Sequence, residues 1–497
     1  MASQCPRALR VLICGGGNAA HVFLGELAAR GHRPTLLSTW PAEAEKLAQN
    51  NLSGDGFVEV RGWEFDGDKL GTMRGKPVSI VGSVAEAFAP RDSFGDCERF
   101  DCVVLALPAF AHQSYLDELA PFLKRMPEDS GRFPPVLMAA VAQGGFDMAA
   151  RAALESARVD RSVVIAGLET LPWACRLVEP GRRADVLGTK SAVDAAIAMH
   201  PDPDRDILAR HTPPALEMMQ TVVGPAPTLR LASGFLGVSL MNINSFWHPT
   251  LMWHRWKEWD GQETFDAPPM LYEDAPDDLA CDEMSRETAD VVAALRRRYG
   301  DRLLDTLDSA KSVRRWFLDS YGDEPELDTD STASMMRTNP AYRGLTHPMR
   351  PASDRDDRLV PDFSHRYLTE DVPFGLVVTR GVAELVGVPT PTIDTIISWA
   401  QKVSGRTYLI EREMNKPGGE LSHPGVEEPG GEHRSPPALV LAGDDVVRSR
   451  CPQRFGWFDV DWFMTSNHYA ALEPDKEVFG EDGEGKGTRR ESSGAAA

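Results

Sequence analysis

The run from Arg10 to Gly31, RVLICGGGNAAHVFLGELAARG, narrows the choice of fold more than any other stretch of the chain. Val11, Leu12, Ile13 and Cys14 form a short apolar run that suits a strand buried on both faces of a parallel sheet. Gly15, Gly16 and Gly17 then break the chain, after which Ala20, Phe23, Leu24 and Leu27 recur at helical spacing. Strand, glycine turn and helix in that order bring a dinucleotide against a backbone. Gly15 admits the tight turn, Gly17 lets the main chain approach a pyrophosphate, and Ala20 lets the helix lie close on the sheet. Asn18 and Ala19 open that helix, whose free amide N–H groups and positive dipole end attract phosphate. At the end of the next strand, Pro34 to Thr39, an acidic residue would hold the ribose 2′-hydroxyl of NAD, but the sequence reads Ser38, Thr39, Trp40. With neither that carboxylate nor an arginine for a 2′-phosphate, NAD leads and NADP is not excluded.

The strand, turn, helix order repeats. Phe100 to Pro108, FDCVVLALP, reads as a buried strand with a helix after it over 109–124, and Pro135 to Gln143 runs through Gly144 and Gly145 into a helix over 146–157. Ser162 to Glu169 is strand-like, Ala184 to Thr189 is a shorter strand, and alternating charged and apolar residues from Trp63 to Asp92 predict extra strands at the sheet edge. This alternation predicts an α/β fold with a doubly wound parallel sheet, which binds ligands in the crevice beyond the carboxyl ends of its strands. Pro108, Ala109, Gln143 and Glu169 stand at such ends.

Near Leu231 the character changes. The segment from Leu231 to Trp259 is apolar and helical, Asp277 to Arg298 and Leu303 to Tyr321 read as long amphipathic helices, and two shorter ones follow at Gly381 to Val386 and Thr392 to Lys402. The division is a nucleotide-binding domain over 1–230 and an all-helical domain over 231–472, with a Gly/Pro-rich insertion expected to lack fixed structure over 413–435 and a disordered tail over 473–497. A length of 497 residues suits two domains. The net charge of -21 and pI of about 5.1 argue against a nucleic-acid or membrane partner, both of which want a basic footprint. Seven cysteines without a CxxC pair indicate neither a disulfide framework nor a zinc site. No apolar run approaches the roughly 20 residues of a membrane span, and the first strand starts too near Met1 to leave room for a signal peptide, so a cytoplasmic location is expected.

Two stretches carry groups suited to catalysis. In Ser245-Phe246-Trp247-His248-Pro249 an imidazole lies within an apolar helical run, next to a proline expected to kink or end the helix. It is either a core histidine or a general acid and base. His254 lies six residues on, a spacing that does not bring both rings to one metal, so no metal site is expected. In PDFSHRYLTEDVP, Pro361 to Pro373, Arg366, Glu370 and Asp371 cluster in a segment without helical or strand period, either a solvated loop or a source of an arginine fork and an orienting carboxylate.

Taken with CGGGNAAH (Cys14 to His21), LPAFAH (Leu107 to His112), ETLPWACR (Glu169 to Arg176), VLGTKS (Val186 to Ser191), YRGLTHP (Tyr342 to Pro348) and CPQRFG (Cys451 to Gly456), these segments make the chain resemble the opine dehydrogenases, most of all the octopine-forming members from invertebrates. The resemblance implies a Rossmann domain followed by a helical opine dehydrogenase-type domain, with the active site in the cleft between them and a monomer as the default. It implies NADH-dependent reductive condensation of a 2-oxo acid, normally pyruvate, with the amino group of an amino acid, L-arginine first. It further implies that His248 is the catalytic histidine with Arg366 and Asp371 beside it, that Gln143 and Thr170 hold pyruvate, and that Glu169 meets the guanidinium. Gly15 to Ala20, Pro108 and Ala109 would hold the coenzyme. Octopine-forming members have methionine six residues before the histidine, where this chain has Asn242. Tauropine-, alanopine- or strombine-forming activity therefore stands as an alternative, alongside a simple 2-oxo acid reductase and a protein that binds NAD(H) without turnover.

Overall fold

The computed structural model describes residues 7–65, 68–89, 98–125, 133–142, 144–200, 205–232, 234–300, 307–322, 324–353, 355–412 and 439–467. Gln143, the insertion over 413–435 and the tail over 473–497 lie outside them.

The first half comprises β1 (Arg10–Cys14), α1 (Asn18–Ala29), β2 (Arg33–Leu37), α2 (Pro41–Ser53), β3 (Val58–Phe65), β4 (Asp68–Gly75), β5 (Ser79–Val81), α3 (Val84–Ala87) and β6 (Cys102–Leu105). It continues with α4 (Ala109–Arg125), β7 (Val136–Ala139), α5 (Phe146–Ser156), β8 (Val163–Leu168), β9 (Trp173–Glu179), β10 (Arg183–Thr189), β11 (Ala192–His200), α6 (Arg205–Val223) and β12 (Thr228–Leu231). Eight strands form one sheet in the order β12-β11-β8-β7-β6-β1-β2-β5, parallel except where β11 runs against β8. From β1 the chain winds outward to β2 and β5, then returns to the other side at β6. That reversal places a crevice beyond Cys14 and Leu105, where such sheets bind ligands.

The stretch from Trp63 to Asp92 departs from expectation. Only β5 joins the edge of the main sheet. β3 and β4 instead form a separate four-stranded sheet with β10 and β9, which lies over the outer face of α1. Two sheets thus enclose one helix, which is why α1 is buried continuously from Ala19 to Leu27, His21 and Glu26 included.

The second half comprises α7 (Phe235–Ser239), α8 (Ile243–Trp256), α9 (Cys281–Tyr299), α10 (Val313–Tyr321), α11 (Thr332–Thr338), β13 (Met349–Ala352), β14 (Arg355–Pro361) and α12 (Arg366–Thr369). After a π-helical turn, Val372–Leu376, come α13 (Val377–Leu385), α14 (Pro391–Ser404), β15 (Leu409–Glu411), β16 (Leu439–Leu441) and α15 (Val460–Ser466). Two antiparallel ribbons, β13-β14 and β15-β16, qualify the all-helical expectation. Within 307–322 the helix covers only Val313–Tyr321, started by Ser312, whose hydroxyl accepts the Arg315 N–H. Pro249 does not end α8, which runs on to Trp256 because its buried face, Phe246, Trp247, Leu251 and Met252, is held by the domain core.

The halves are stitched together. Val378, Val382 and Ala383 of α13, and Val460, Phe463 and Met464 of α15, share one apolar cluster with Leu105, Leu137 and Phe146 of the first domain. Among the described residues no helix is long and apolar enough to cross a membrane.

Candidate active site

On the nucleotide side, Gly15 has a φ of 121°, a conformation that L side chains rarely adopt, and donates its N–H to the Leu37 carbonyl at 2.8 Å. A side chain there would strike the Ala106 carbonyl. Gly17 faces open space at the start of α1, whose first turn carries no side-chain cap, so its amide N–H groups are available to an oxyanion. The loop is braced from behind by His21, which bonds the Gly17 carbonyl through Nδ1 and accepts the Gly181 N–H on Nε2. Asn18 Oδ1 accepts the Leu177 N–H at 2.9 Å, tying α1 to β9, while Ala19 and Ala20 are buried against the sheets.

A carboxylate does stand at the end of β2, supplied by the next helix. Glu43, in the first turn of α2, accepts the Ser38 hydroxyl at 2.5 Å and lies directly beside Gly16. Sequence reading that looked only along the strand missed it; the signal was an acidic residue in the first turn after the strand. The loop, the open helix end and Glu43 together fit an adenine dinucleotide whose ribose 2′-hydroxyl is free, since a 2′-phosphate would meet like charge.

The two domains meet at Ala109, the residue after Pro108. Its N–H donates to Glu370 Oε1 at 2.6 Å and its carbonyl accepts from Arg450 Nη2 at 2.7 Å. Glu370 is buried, and burial raises its carboxyl above the ordinary range while Arg366, whose Nε lies 3.1 Å from Oε2, opposes the shift. Arg366 is thus seated on Glu370, half exposed, and does not bond His248 or Asp371.

His248 and Asp371, 123 residues apart, are brought together: Nδ1 lies 2.7 Å from Asp371 Oδ2, and both residues are buried. Nε2 lies 3.1 Å from the Tyr272 hydroxyl, and the ring stacks on Tyr367 with centroids 3.7 Å apart. Burial, followed by the neighbouring Tyr367 and Asp371, pushes the Tyr272 phenol well above its usual range. Tyr272 therefore stays protonated and donates to Nε2, leaving Nδ1–H to donate to Asp371, which fixes one neutral tautomer. Nothing in the sequence marked Tyr272. Asp371 is positioned by the π-helical turn, in which the Leu376 N–H reaches back five residues to the Asp371 carbonyl at 3.3 Å. That turn seats closely on α8 because residue 375 is glycine, and a methyl there would collide with Ser245.

At the carboxyl end of β8, Glu169 Oε1 accepts the Asp194 N–H at 3.1 Å, and burial raises its carboxyl, opposed by Lys311 and Arg230. The Thr170 hydroxyl accepts from Lys190 Nζ at 2.9 Å, and the same ammonium donates to the Leu171 carbonyl at 2.8 Å. Although Lys190 is exposed as a whole, desolvation pushes its ammonium down to about 8, offset by the charge of Glu169.

A dinucleotide crevice in the first domain, joined through Ala109 to the segment of the second that carries a buried imidazole–carboxylate pair, fits an NAD-linked oxidoreductase. Residues 231–404 match the family model described as NAD/NADP octopine/nopaline dehydrogenase, alpha-helical domain. The chain is 31% identical to octopine dehydrogenase of Mizuhopecten yessoensis, covering 92% of this chain and 98% of that one, and 30% identical to tauropine dehydrogenase of Arabella iricolor, covering 90% and 98%. A solved octopine dehydrogenase bound to NADH and L-arginine superposes with a TM-score of 0.72 at 30% identity, covering 92% of this chain and 98% of that one. The chain belongs to the opine dehydrogenase family, NAD-dependent oxidoreductases that act on the CH–NH bond.

Proposed function

We propose that the protein condenses a 2-oxo acid, pyruvate first, with the amino group of an amino acid and reduces the product at the expense of NADH, with His248 as the proton carrier. The observation that carries this reading is the buried His248–Asp371 pair with its Nε2 turned to the Tyr272 hydroxyl. A substrate amine taking the place of the Tyr272 hydroxyl gives its proton to Nε2, and Asp371 steadies the resulting imidazolium through Nδ1–H. The freed amine attacks the keto carbon. A proton of the adduct nitrogen passes to its oxygen, and His248 returns its own proton to the resulting hydroxyl, so that water leaves and a protonated imine remains. NADH, when bound, supplies the hydride that reduces that imine. Thr170, held by Lys190, and Gln143 would grip the 2-oxo acid, with the ammonium facing its carboxylate.

Glu169 supports arginine as the amine partner, since a partly buried carboxylate suits a guanidinium. A second reading, an amino acid without a cationic side chain, rests on Lys190, Lys311 and Arg230, which already surround Glu169 with positive charge. Following NADH absorbance with pyruvate and a panel of arginine, alanine, glycine and taurine separates them. Oxidation needs both carbon substrates; turnover with pyruvate alone makes the protein a simple 2-oxo acid reductase. Glu169→Gln is expected to depress the rate with arginine alone, and equal losses across the panel would show that Glu169 does not read the guanidinium.

A further inference from the structure

A cavity of about 370 Å³ opens between the first turn of α4 and the end of the second domain. Four guanidinium groups line it, Arg406, Arg448, Arg450 and Arg454, together with Thr369 and Ser404, and among the described residues of its wall there is no carboxylate. Carboxylates stand behind the wall: Asp445 is shared by Arg406 at 3.0 Å and Arg448 at 3.4 Å, Glu370 and Asp147 attract Arg450, and Asp117 attracts Arg454. Arg454 spends its donors on neutral acceptors, the Ser449 carbonyl and Gln113 Oε1. Arg450 is fully buried; Nη2 bonds the Ala109 carbonyl, while Nη1 is buried without a hydrogen-bond partner.

Four guanidinium groups facing one concavity favour the entry of an anion. Burial and repulsion from Arg454 outweigh the attraction of Glu370 and Asp147 and push Arg450 down to about 9. Guanidinium forks pair in bidentate fashion with phosphate oxygens, and the volume exceeds what inorganic phosphate alone would fill. We infer that this cavity binds a small organic phosphate, its phosphoryl group gripped by Arg406, Arg448 and Arg454 above the Arg450 floor. The cavity includes none of the Gly15–Gly17 loop, Glu43 or His248. It shares Ala109 with the coenzyme side, but both polar groups of that residue are engaged by Glu370 and Arg450. The ligand would span the joint between the domains, next to the turn that carries Asp371.

Calorimetric titration of the full chain with glycerol 3-phosphate and with inorganic phosphate, each with and without saturating NADH, tests this. The expected result is saturable one-to-one binding, tighter for the organic phosphate, unaffected by NADH, and at least about tenfold weaker in both Arg406→Gln and Arg448→Gln. These two arginines lie on the rim, outside the catalytic machinery, so kcat without phosphate is expected to stay unchanged. No saturable heat beyond that of chloride at matched ionic strength, or equal affinity in the variants, overturns the site. Displacement by NADH shows the cavity to be part of the coenzyme cleft, and equal or tighter binding of inorganic phosphate overturns the organic ligand.

Discussion

At His248, two hydrogen bonds and one stacked ring hold the imidazole in a single tautomer, so each atom of the pair has a separate task. His248→Ala removes the proposed proton carrier, and Asp371→Asn removes the charge proposed to stabilise its imidazolium. Each is expected to lower kcat by about a hundredfold or more while leaving NADH affinity, read by fluorescence titration, within about twofold. Unchanged rates would remove the proton relay. Lys190 belongs to the same scale. Its ammonium, pushed down to about 8, is charged below that pH and neutral above it. The kcat/KM for the 2-oxo acid is therefore expected to fall as pH rises past about 8, and Lys190→Gln to give a low value at every pH without that descending limb. An unaltered profile in the variant would assign the titration elsewhere. The sequence motifs drew attention to His248 and Asp371 because the chemistry of those residue types is conspicuous. Tyr272 and Glu43 escaped because a phenol in an irregular segment and a carboxylate in a helical first turn look ordinary until folding sets them beside their partners.

The elements that hold these groups are less ordinary than the segments suggested. PDFSHRYLTEDVP showed no period because it contains the end of a ribbon, a one-turn helix and the start of the π-helical turn, none long enough to repeat. The turn matters because its wide backbone ring aims Asp371 at Nδ1 while Gly375 lets it seat on α8. Gly375→Ala is expected to leave the fold intact by circular dichroism, cost about 1–3 kcal/mol of stability by overpacking, and lower kcat by at least about tenfold as the carboxylate is pushed from the imidazole. Full activity would mean that the seat yields. The long strands and helices of the first domain were legible for the opposite reason, since runs such as CVVL and VLIC are apolar over their whole length. The misplaced segment, 63–92, reads as half-buried strand in either position, because alternation says which face is apolar and not which helix it covers.

Across the whole molecule, the joint at Ala109 fastens the coenzyme domain to the loop bearing Asp371. Glu370→Ala leaves the buried Ala109 N–H without an acceptor and removes the seat of Arg366. A loss of about 1–3 kcal/mol is expected in urea unfolding, with transitions of the two domains separating when followed by tryptophan fluorescence and by coenzyme release. A single unshifted transition would show that the apolar cluster alone couples them. That cluster has one more consequence. Because α13 and α15 complete the inner face of the first sheet, a ribosome that has delivered every strand of the nucleotide domain still holds one with an uncovered apolar flank. Its maturation waits for the residues of α13 and α15, and until they emerge the nascent chain is the form that chaperones would have to shelter.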